Sequence, residues 1–273
     1  MDKFDAICKA IKEVKIQGAE NVAKAAIEAL KYKSDNQSIK KLISLRPTEP
    51  CLRNSMKFVT SGGKISEALA HFDLVDRRLN EYGSKKIEDG YRVFTHCHSS
   101  SVINILLQAK KEGKKFKVYN TETRPLMQGR VTAKELAKAG IPVVHFIDSA
   151  ARIGLKKADL MLIGCDAITT DKVFNKVGTE MFAEIAYRYD VPVYVCTDSW
   201  KFDVEGIYGE EEPIEKRPTK EVWSDPPKNV KVLNPAFEKI NPHFITSIIS
   251  ELGEFKLSSF VSEIKKVHPW MFR

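Results

Sequence analysis

Apolar positions in the first third of the chain recur at three- and four-residue spacing. Phe4, Ile7, Ile11 and Val14 make one such stripe, and Ile65, Leu69, Phe72, Val75, Leu79 and Tyr82 make another. A helical period places each set on one face, so the spacing predicts two amphipathic helices within a helical domain spanning residues 1–88. Gly62 and Gly63 punctuate that region, and the turn-forming EDGYR, 88–92, closes it. From residue 91 the texture changes to short β-rich runs: YRVFTH (91–96), FKVYNTE (116–122), PVVHFID (142–148), LMLIGCD (160–166) and VPVYVCTD (191–198). Their starts lie roughly 20 to 30 residues apart with helical patterns between, the spacing of strand–helix–strand units. The expectation for residues 89–273 is therefore an α/β domain with a mainly parallel, doubly wound sheet. VKVLNP, 230–235, reads as a further short strand, and a last helix is expected at about 258–267. The proline-broken, acidic stretch 208–229 reads as a surface excursion.

Composition narrows the setting. A chain of 273 residues buries a sizeable core without staples. Its apolar runs fall short of the ~18 to 20 residues of a membrane span, and MDKFDAICKAIKEVK is a charged amphipathic helix rather than a secretion signal. A soluble cytoplasmic protein with no membrane partner is expected. The cysteines, at 8, 51, 97, 165 and 196, are odd in number and contain no CxxC pair, which argues against a disulfide framework or a structural zinc site. A net charge of +8 makes an anionic partner plausible. Lysine-rich KKEGKKFK, 110–117, reads as a solvated helix end, and no finger or basic stripe interleaved with aromatics is present, so direct nucleic-acid binding is not expected. No GxGxxG follows the first strand and no GxxxxGK[ST] occurs, which argues against nucleotide-dependent dehydrogenases and P-loop enzymes.

Open parallel sheets bind ligands outside the carboxyl ends of their strands. At that edge stand His96, Cys97, His98 and Ser99 to Ser101; Glu122, Arg124 and Gln128; Asp148, Ser149 and Arg152; Asp166, Asn175, Lys176 and Thr179; and Asp198, Ser199 and Lys201. Ser99 and Ser149 are also good N-cap residues whatever their function. A metal at His96 and His98 lacks a third ligand at familiar spacing. Cys97 is either an inert buried thiol or a reactive one, and its place before a helix start beside two imidazoles predicts a lowered pKa. Cys165 and Cys196, inside their expected strands, read as buried. A thiol and a carboxylate across one edge suit proton transfer, and a Cys-dependent hydrolase remains an alternative.

In order along the chain, THCHSSS (95–101), TETRPLMQGRVTAKEL (121–136), IPVVHFIDSAAR (141–152), GCDAIT (164–169), NKVGT (175–179) and LNPAFE (233–238) resemble the superfamily joining sugar-phosphate isomerases to the regulatory subunits of initiation factor 2B. LRPT (45–48) extends the likeness into the helical part. The chain looks most similar to archaeal ribose-1,5-bisphosphate isomerases, with methylthioribose-1-phosphate isomerases next. That resemblance implies a helical domain, a Rossmann-like catalytic domain, a homodimer or an assembly of dimers, and no metal or redox cofactor. It implies catalytic roles for Cys97 and Asp166, a pair that the translation-factor subunits generally lack. It also implies phosphate binding by Arg46, a sugar-lining role for Gln128, and substrate contacts from Asn175 and Lys176; Ser99, at the helix start, joins them as an anion ligand. Where the isomerases usually carry Arg-Gly-Ala as a phosphate anchor, this chain has Gln17, Gly18 and Ala19, and Gln17 brings no charge. The expected activity is aldose–ketose isomerisation of a ribose 1-phosphate derivative, ribose 1,5-bisphosphate first. Methylthioribose 1-phosphate isomerisation, or a non-catalytic regulatory subunit binding initiation factor 2, is the alternative.

Overall fold

A computed structural model describes residues 2–13, 15–16, 18–206 and 217–273, so Val14 and Gln17 lie outside the described residues. Five helices come first: α1 (Lys3–Lys12), α2 (Ala19–Ala29), α3 (Asn36–Leu45), α4 (Pro50–Thr60) and α5 (Ile65–Ser84). Both stripes seen in the sequence face inward, with Phe4 and Ile11 buried on α1, and Phe72, Val75 and Leu79 on α5. Asp2 and Asp35 cap α1 and α3 by accepting backbone N–H bonds, and Pro50 opens α4 where its missing N–H costs nothing.

The second part alternates strands and helices: β1 (Arg92–Thr95), α6 (Ser100–Lys111), β2 (Lys117–Thr121), α7 (Gln128–Lys138), β3 (Val143–Phe146), α8 (Ala151–Leu155), β4 (Leu160–Ile163), β5 (Ala167–Ile168), β6 (Val173–Lys176), α9 (Thr179–Arg188), β7 (Val193–Cys196), β8 (Phe237–Ile240), β9 (Ser247–Ser250), β10 (Gly253–Phe255) and α10 (Leu257–Val267). The main sheet runs β10-β9-β7-β4-β1-β2-β3, parallel throughout except for the antiparallel edge pair β9–β10. The five strands expected from the sequence all form. Strand order reverses between β1 and β4, since the chain first winds outward through β2 and β3 and then returns to lay β4 on the other side of β1.

Both sheet faces are buried. Phe94, Met161, Ile163, Val195 and Ile248 join one apolar cluster that continues into α1 to α4, while Val93, Val118, Leu160, Leu162 and Ile249 join a second with α6. Helix α5 feeds both, through Phe72 to the first and through Val75 and Leu79 to the second.

VKVLNP does not form a strand. Leu233 within it is 71% exposed, and the pairing falls instead on β8, which closes a separate antiparallel sheet in the order β5-β6-β8. Residues 217–229 of the acidic connection are mostly exposed around a short 3-10 turn at Thr219–Glu221, while 207–216 lie outside the described residues. No helix among the described residues is long and apolar enough to cross a membrane.

Candidate active site

The loops after β1 and β4 are neighbours in the sheet at the reversal of strand order, where a parallel sheet leaves a crevice. A cavity of about 440 Å³ opens there. Four helices start at its wall: Gly18, Glu49 and Ser99 are the N-cap residues of α2, α4 and α6, and Gln128 is the first residue of α7. The N-cap residues of α2 and α4 make no side-chain cap, so first-turn N–H groups there keep donor capacity and favour an anion by about 0.3–1 kcal/mol, whereas at α7 the Gly129 and Arg130 N–H groups already donate to the Glu122 and Met127 carbonyls.

Two glycines permit this convergence. A Cβ on Gly129 would sit 1.7 Å from the Thr121 carbonyl oxygen, so α7 docks against the end of β2 only without a side chain there. A Cβ on Gly164 would lie 2.6 Å from Ser99 Oγ, so the loop carrying Asp166 approaches the α6 cap only because that residue is glycine.

Cys97 adopts φ +66, and Thr123 and Met127, on the adjoining loop, adopt +61 and +58. Left-handed geometry in residues with a Cβ costs of order 1–3 kcal/mol each and persists only where the surroundings fix it. Here they do. The Cys97 N–H donates to Thr123 Oγ1 (3.0 Å), its carbonyl accepts from Thr132 Oγ1 (2.8 Å), and the Thr123 and Arg124 N–H groups both donate to Asp148 (2.8 Å).

The neighbouring imidazoles do not charge the site. His96 Nε2 lies 3.1 Å from the Val177 carbonyl, which can only accept, so Nε2 carries the proton and Nδ1 accepts from the Thr121 hydroxyl (3.0 Å). Burial pushes the His96 pKa down to about 4, so the ring is neutral. His98, at the cavity mouth, donates Nδ1–H to Thr132, whose own proton is taken by the Cys97 carbonyl, and desolvation lowers its pKa as well. Cys97 itself stands two residues ahead of the Ser99 cap. Burial pushes its thiol up to about 11, Asp166 and Asp148 add to the rise, and the Lys176 ammonium offsets only part of it. The lowered pKa expected from sequence is therefore corrected: two neutral rings supply no field, and desolvation decides.

Cys97 and Asp166 line the same cavity, both half-buried, with the Asp166 N–H anchored on the Phe174 carbonyl (2.9 Å) of β6. Gly18, Ala19, Arg46, Ser99, Gln128, Asn175 and Lys176 line it too, so every described residue expected at the site is brought there; Gln17 lies outside the described residues. Asn175 and Lys176 arrive on β6 of the small sheet, where Asn175 Nδ2 donates to Thr179 Oγ1 (3.2 Å). Ser99 Oγ accepts from the Val102 N–H (3.4 Å), and Ser149, the other expected cap, sits inside a 3-10 turn. Glu122, Arg124, Asp148 and Arg152, also at the polar edge in sequence, do not reach the cavity wall.

Four groups at the wall were not singled out in the sequence as site residues. Lys201 donates Nζ to the Cys165 carbonyl (2.7 Å); burial works against its charge, and Cys165, Asp166 and Asp198 outweigh that and raise its pKa. Its position after the fifth strand was the available signal. Arg217, within the supposed surface excursion, and Glu20 also reach the wall. Glu49, next to LRPT, accepts from Arg46 Nη2 through Oε1 (3.1 Å), while its buried Oε2 has no hydrogen-bond partner. Gln128 Oε1 is likewise a buried acceptor without a donor. Both call for donors such as ligand hydroxyls. Cys165 follows β4 rather than lying within it, donates its thiol to the Ala167 carbonyl, and is pushed by burial up to about 12, as is Cys196.

His96 uses both ring nitrogens in these hydrogen bonds and His98 uses Nδ1. Away from the cavity, His71, Asp198 and Glu251 place ligand-type atoms within 4.8 Å of one another. Their oxygens already accept from donors, Asp198 Oδ1 from His71 Nε2 and the Trp200 N–H (2.8 Å each) and Glu251 from the Ser199 N–H and hydroxyl, so the set is a closed hydrogen-bonded network.

The chain is 35% identical to the ribose 1,5-bisphosphate isomerase of Pyrococcus furiosus, an alignment covering 98% of this chain and 94% of that one. Among solved structures, translation initiation factor eIF-2B of Pyrococcus horikoshii superposes with a TM-score of 0.81 at 25% identity, covering 94% of this chain and 98% of the other. The 5-methylthioribose 1-phosphate isomerase of the same organism shares the fold, with a TM-score of 0.80 at 23% identity over 97% of this chain and 88% of its own. With a match to the family model running from residue 6 to residue 257, the helical part, the cavity and the doubly wound sheet together place this chain in the initiation factor 2 subunit family.

Proposed function

We propose that the protein is an aldose–ketose isomerase acting on a ribose 1-phosphate derivative, converting ribose 1,5-bisphosphate to ribulose 1,5-bisphosphate. The observation that carries this reading is a thiol, Cys97, and a carboxylate, Asp166, opening from adjacent strands into one cavity ringed by helix amino termini and lined by Lys176 and Lys201. Relatives named for that activity, similar over nearly the whole chain, support it.

Phosphate on the anomeric oxygen prevents spontaneous ring opening, so the reaction needs an acid at the ring oxygen. A thiol held protonated to about 11 supplies one. Cys97 gives its proton to the ring oxygen as the C1–O bond breaks, and the thiolate then takes the C2 proton and returns it to C1. Asp166 accepts the C2 hydroxyl proton as the ketone forms and passes it back to sulfur, so protons and electrons balance without an external oxidant. Orphan acceptors on Gln128 and Glu49 suit the sugar hydroxyls.

Methylthioribose 1-phosphate is the second reading, because Arg46 is tied to Glu49 and Gln17 brings no charge, which favours fewer phosphates. We further infer a helical domain up to residue 88 and a self-assembly of two or more copies, supported by exposed Val144, Ile147, Ile153 and Tyr187 around β3, α8 and α9. The test is turnover of both sugars, followed as ketose. Folded Cys97→Ser and Asp166→Asn variants should each lose roughly a hundred- to ten-thousandfold in kcat. Wild-type rates in both variants would sink the assignment, and no turnover by wild type with tight binding of initiation factor 2 would favour the regulatory reading.

A further inference from the structure

Lys201 reaches the cavity from a three-residue 3-10 turn, Ser199–Lys201, and of Asp198 to Lys201 it alone lines the wall. The rest of the turn is gripped from three directions. From α4, Asn54 Nδ2 donates to the Trp200 and Phe202 carbonyls (2.8 Å each), and Arg53 pairs with Asp203. From α5, His71 Nε2 meets Asp198 Oδ1 at 2.8 Å, and its ring stacks on Trp200 at 3.9 Å and 10°. From the carboxy-terminal segment, Glu251 accepts from both the Ser199 N–H and its hydroxyl, and His268 Nε2 lies 3.0 Å from that hydroxyl.

A buried polar cluster of this size is a poor way to gain stability, because apolar side chains of similar volume often match or exceed it. Although the buried Trp200 Nε1 donor has no partner, the carboxylates and hydroxyl of the cluster are hydrogen-bonded, and such a network supplies a single geometry. The geometry at stake is that of Lys201, whose Nζ is aimed at the carbonyl of Cys165, the residue preceding Asp166.

We propose that His71 is a positioning residue: through the Asp198 carboxylate and the Trp200 ring it fixes the 198–201 turn so that the Lys201 ammonium stands in the cavity beside Asp166 and meets the anionic group of a phosphorylated substrate. This rests on the isomerase reading for its substrate, and not for its geometry. The groups facing His71 are Asp198, Glu251 and Glu20, with the His268 ring 6.1 Å away. Burial works against its charge, but Asp198, backed by the two glutamates, outweighs it and raises the His71 pKa.

The test compares wild type with His71→Leu, which removes the hydrogen bond, and His71→Gln, which can restore a donor to Asp198. Amine acetylation read by mass spectrometry needs no substrate. Lys201 should acetylate several-fold faster in His71→Leu than in wild type, relative to the exposed Lys110 and Lys111, with His71→Gln between. In steady state, losing a hydrogen bond to a charged group corresponds to about a tenfold rise in KM for the phosphorylated pentose, with kcat changing less. The double variant His71→Leu/Lys201→Met should be no worse than Lys201→Met alone. Unchanged Lys201 reactivity, or additive losses in the double variant, overturns the proposal. Should His71→Leu not fold, Asp198→Asn takes its place with the same expected acetylation. Absent pentose turnover by wild type defeats the isomerase reading alone, and the acetylation result still decides the role of His71.

Discussion

Cys97 should titrate as an acid about a hundred times weaker than an ordinary thiol. Its pKa is pushed from 9.0 to about 11 by burial, with Asp166 and Asp148 adding repulsion and Lys176 offsetting part of it. Two units correspond to about 2.7 kcal/mol in favour of the neutral thiol, and because Cys97 is half-buried at a cavity wall, water entering the cavity reduces this to about 1 to 2 kcal/mol. At pH 8 an ordinary thiol of pKa 9.0 is about 10% ionised, and this one about 0.1%. The assay is the rate of Cys97 carboxamidomethylation by iodoacetamide between pH 6 and 11, followed on the Cys97 peptide by mass spectrometry. The other four cysteines are buried, which keeps their peptides as slow internal references. The rate should climb tenfold per pH unit up to about pH 10 without a plateau. Lys176→Met removes the cation opposing the shift and should slow alkylation further at every pH. A plateau below pH 9 would refute the desolvation account and restore an activated thiolate, and faster alkylation in Lys176→Met would show that the ammonium does not oppose the shift.

Gly129→Ala should lower stability by about 3 kcal/mol or more in thermal denaturation, since its Cβ would meet backbone at 1.7 Å and overpacked sites rarely relax without moving chain; a loss under 1 kcal/mol would show that α7 can slide. Glu49→Gln should tighten binding of pyrophosphate by about tenfold in calorimetry, because it removes a buried carboxylate beside Arg46; weaker binding would mean that Glu49 orients Arg46 for the anion. The raised pKa of His71 contributes stability that is fully present below about 6.5 and is lost as pH rises through the folded value, so the gap in Tm between wild type and His71→Leu should narrow toward alkaline pH. A gap that widens there would contradict the imidazolium–carboxylate pairing.

The parallel strands were legible because their signal is local: each is a compact apolar run. Cys97 and Asp166 lie within three residues of the ends of β1 and β4, at the edge expected for a site, while their catalytic roles came from the family resemblance. The small antiparallel sheet was not legible, since β5 has two residues and β6 pairs with β8 about sixty positions away, too little local pattern for such distant partners. VKVLNP carried strand composition, but its leucine faces solvent and the pairing groups fall on Phe237–Ile240. The thiol's acidity was misjudged for a related reason: proximity in sequence showed two imidazoles, while their charge is set by contacts such as His96 with the Val177 carbonyl, 81 residues on. Lys201 was visible as an edge residue, but what fixes it comes from α4, α5 and the carboxy-terminal segment.

A neutral thiol and a strained backbone at one residue fit together with the role proposed for Cys97, an acid that also handles a carbon-bound proton. Extended geometry at Cys97 would prolong β1, and its side chain would then take the alternation of the strand instead of the crevice at the strand-order reversal. The left-handed turn ends the strand early, and the hydroxyls of Thr123 and Thr132 hold it by its own N–H and carbonyl, leaving sulfur unconstrained by them. Neutral His96 completes the arrangement by tying β1, β2 and the start of α9 through Thr121 and Val177 without placing a charge beside the sulfur. An imidazolium at that position would lower the thiol's pKa and leave little proton to give to a ring oxygen at neutral pH. A protonated thiol therefore requires that the most obvious basic residue beside it be kept from acting as one.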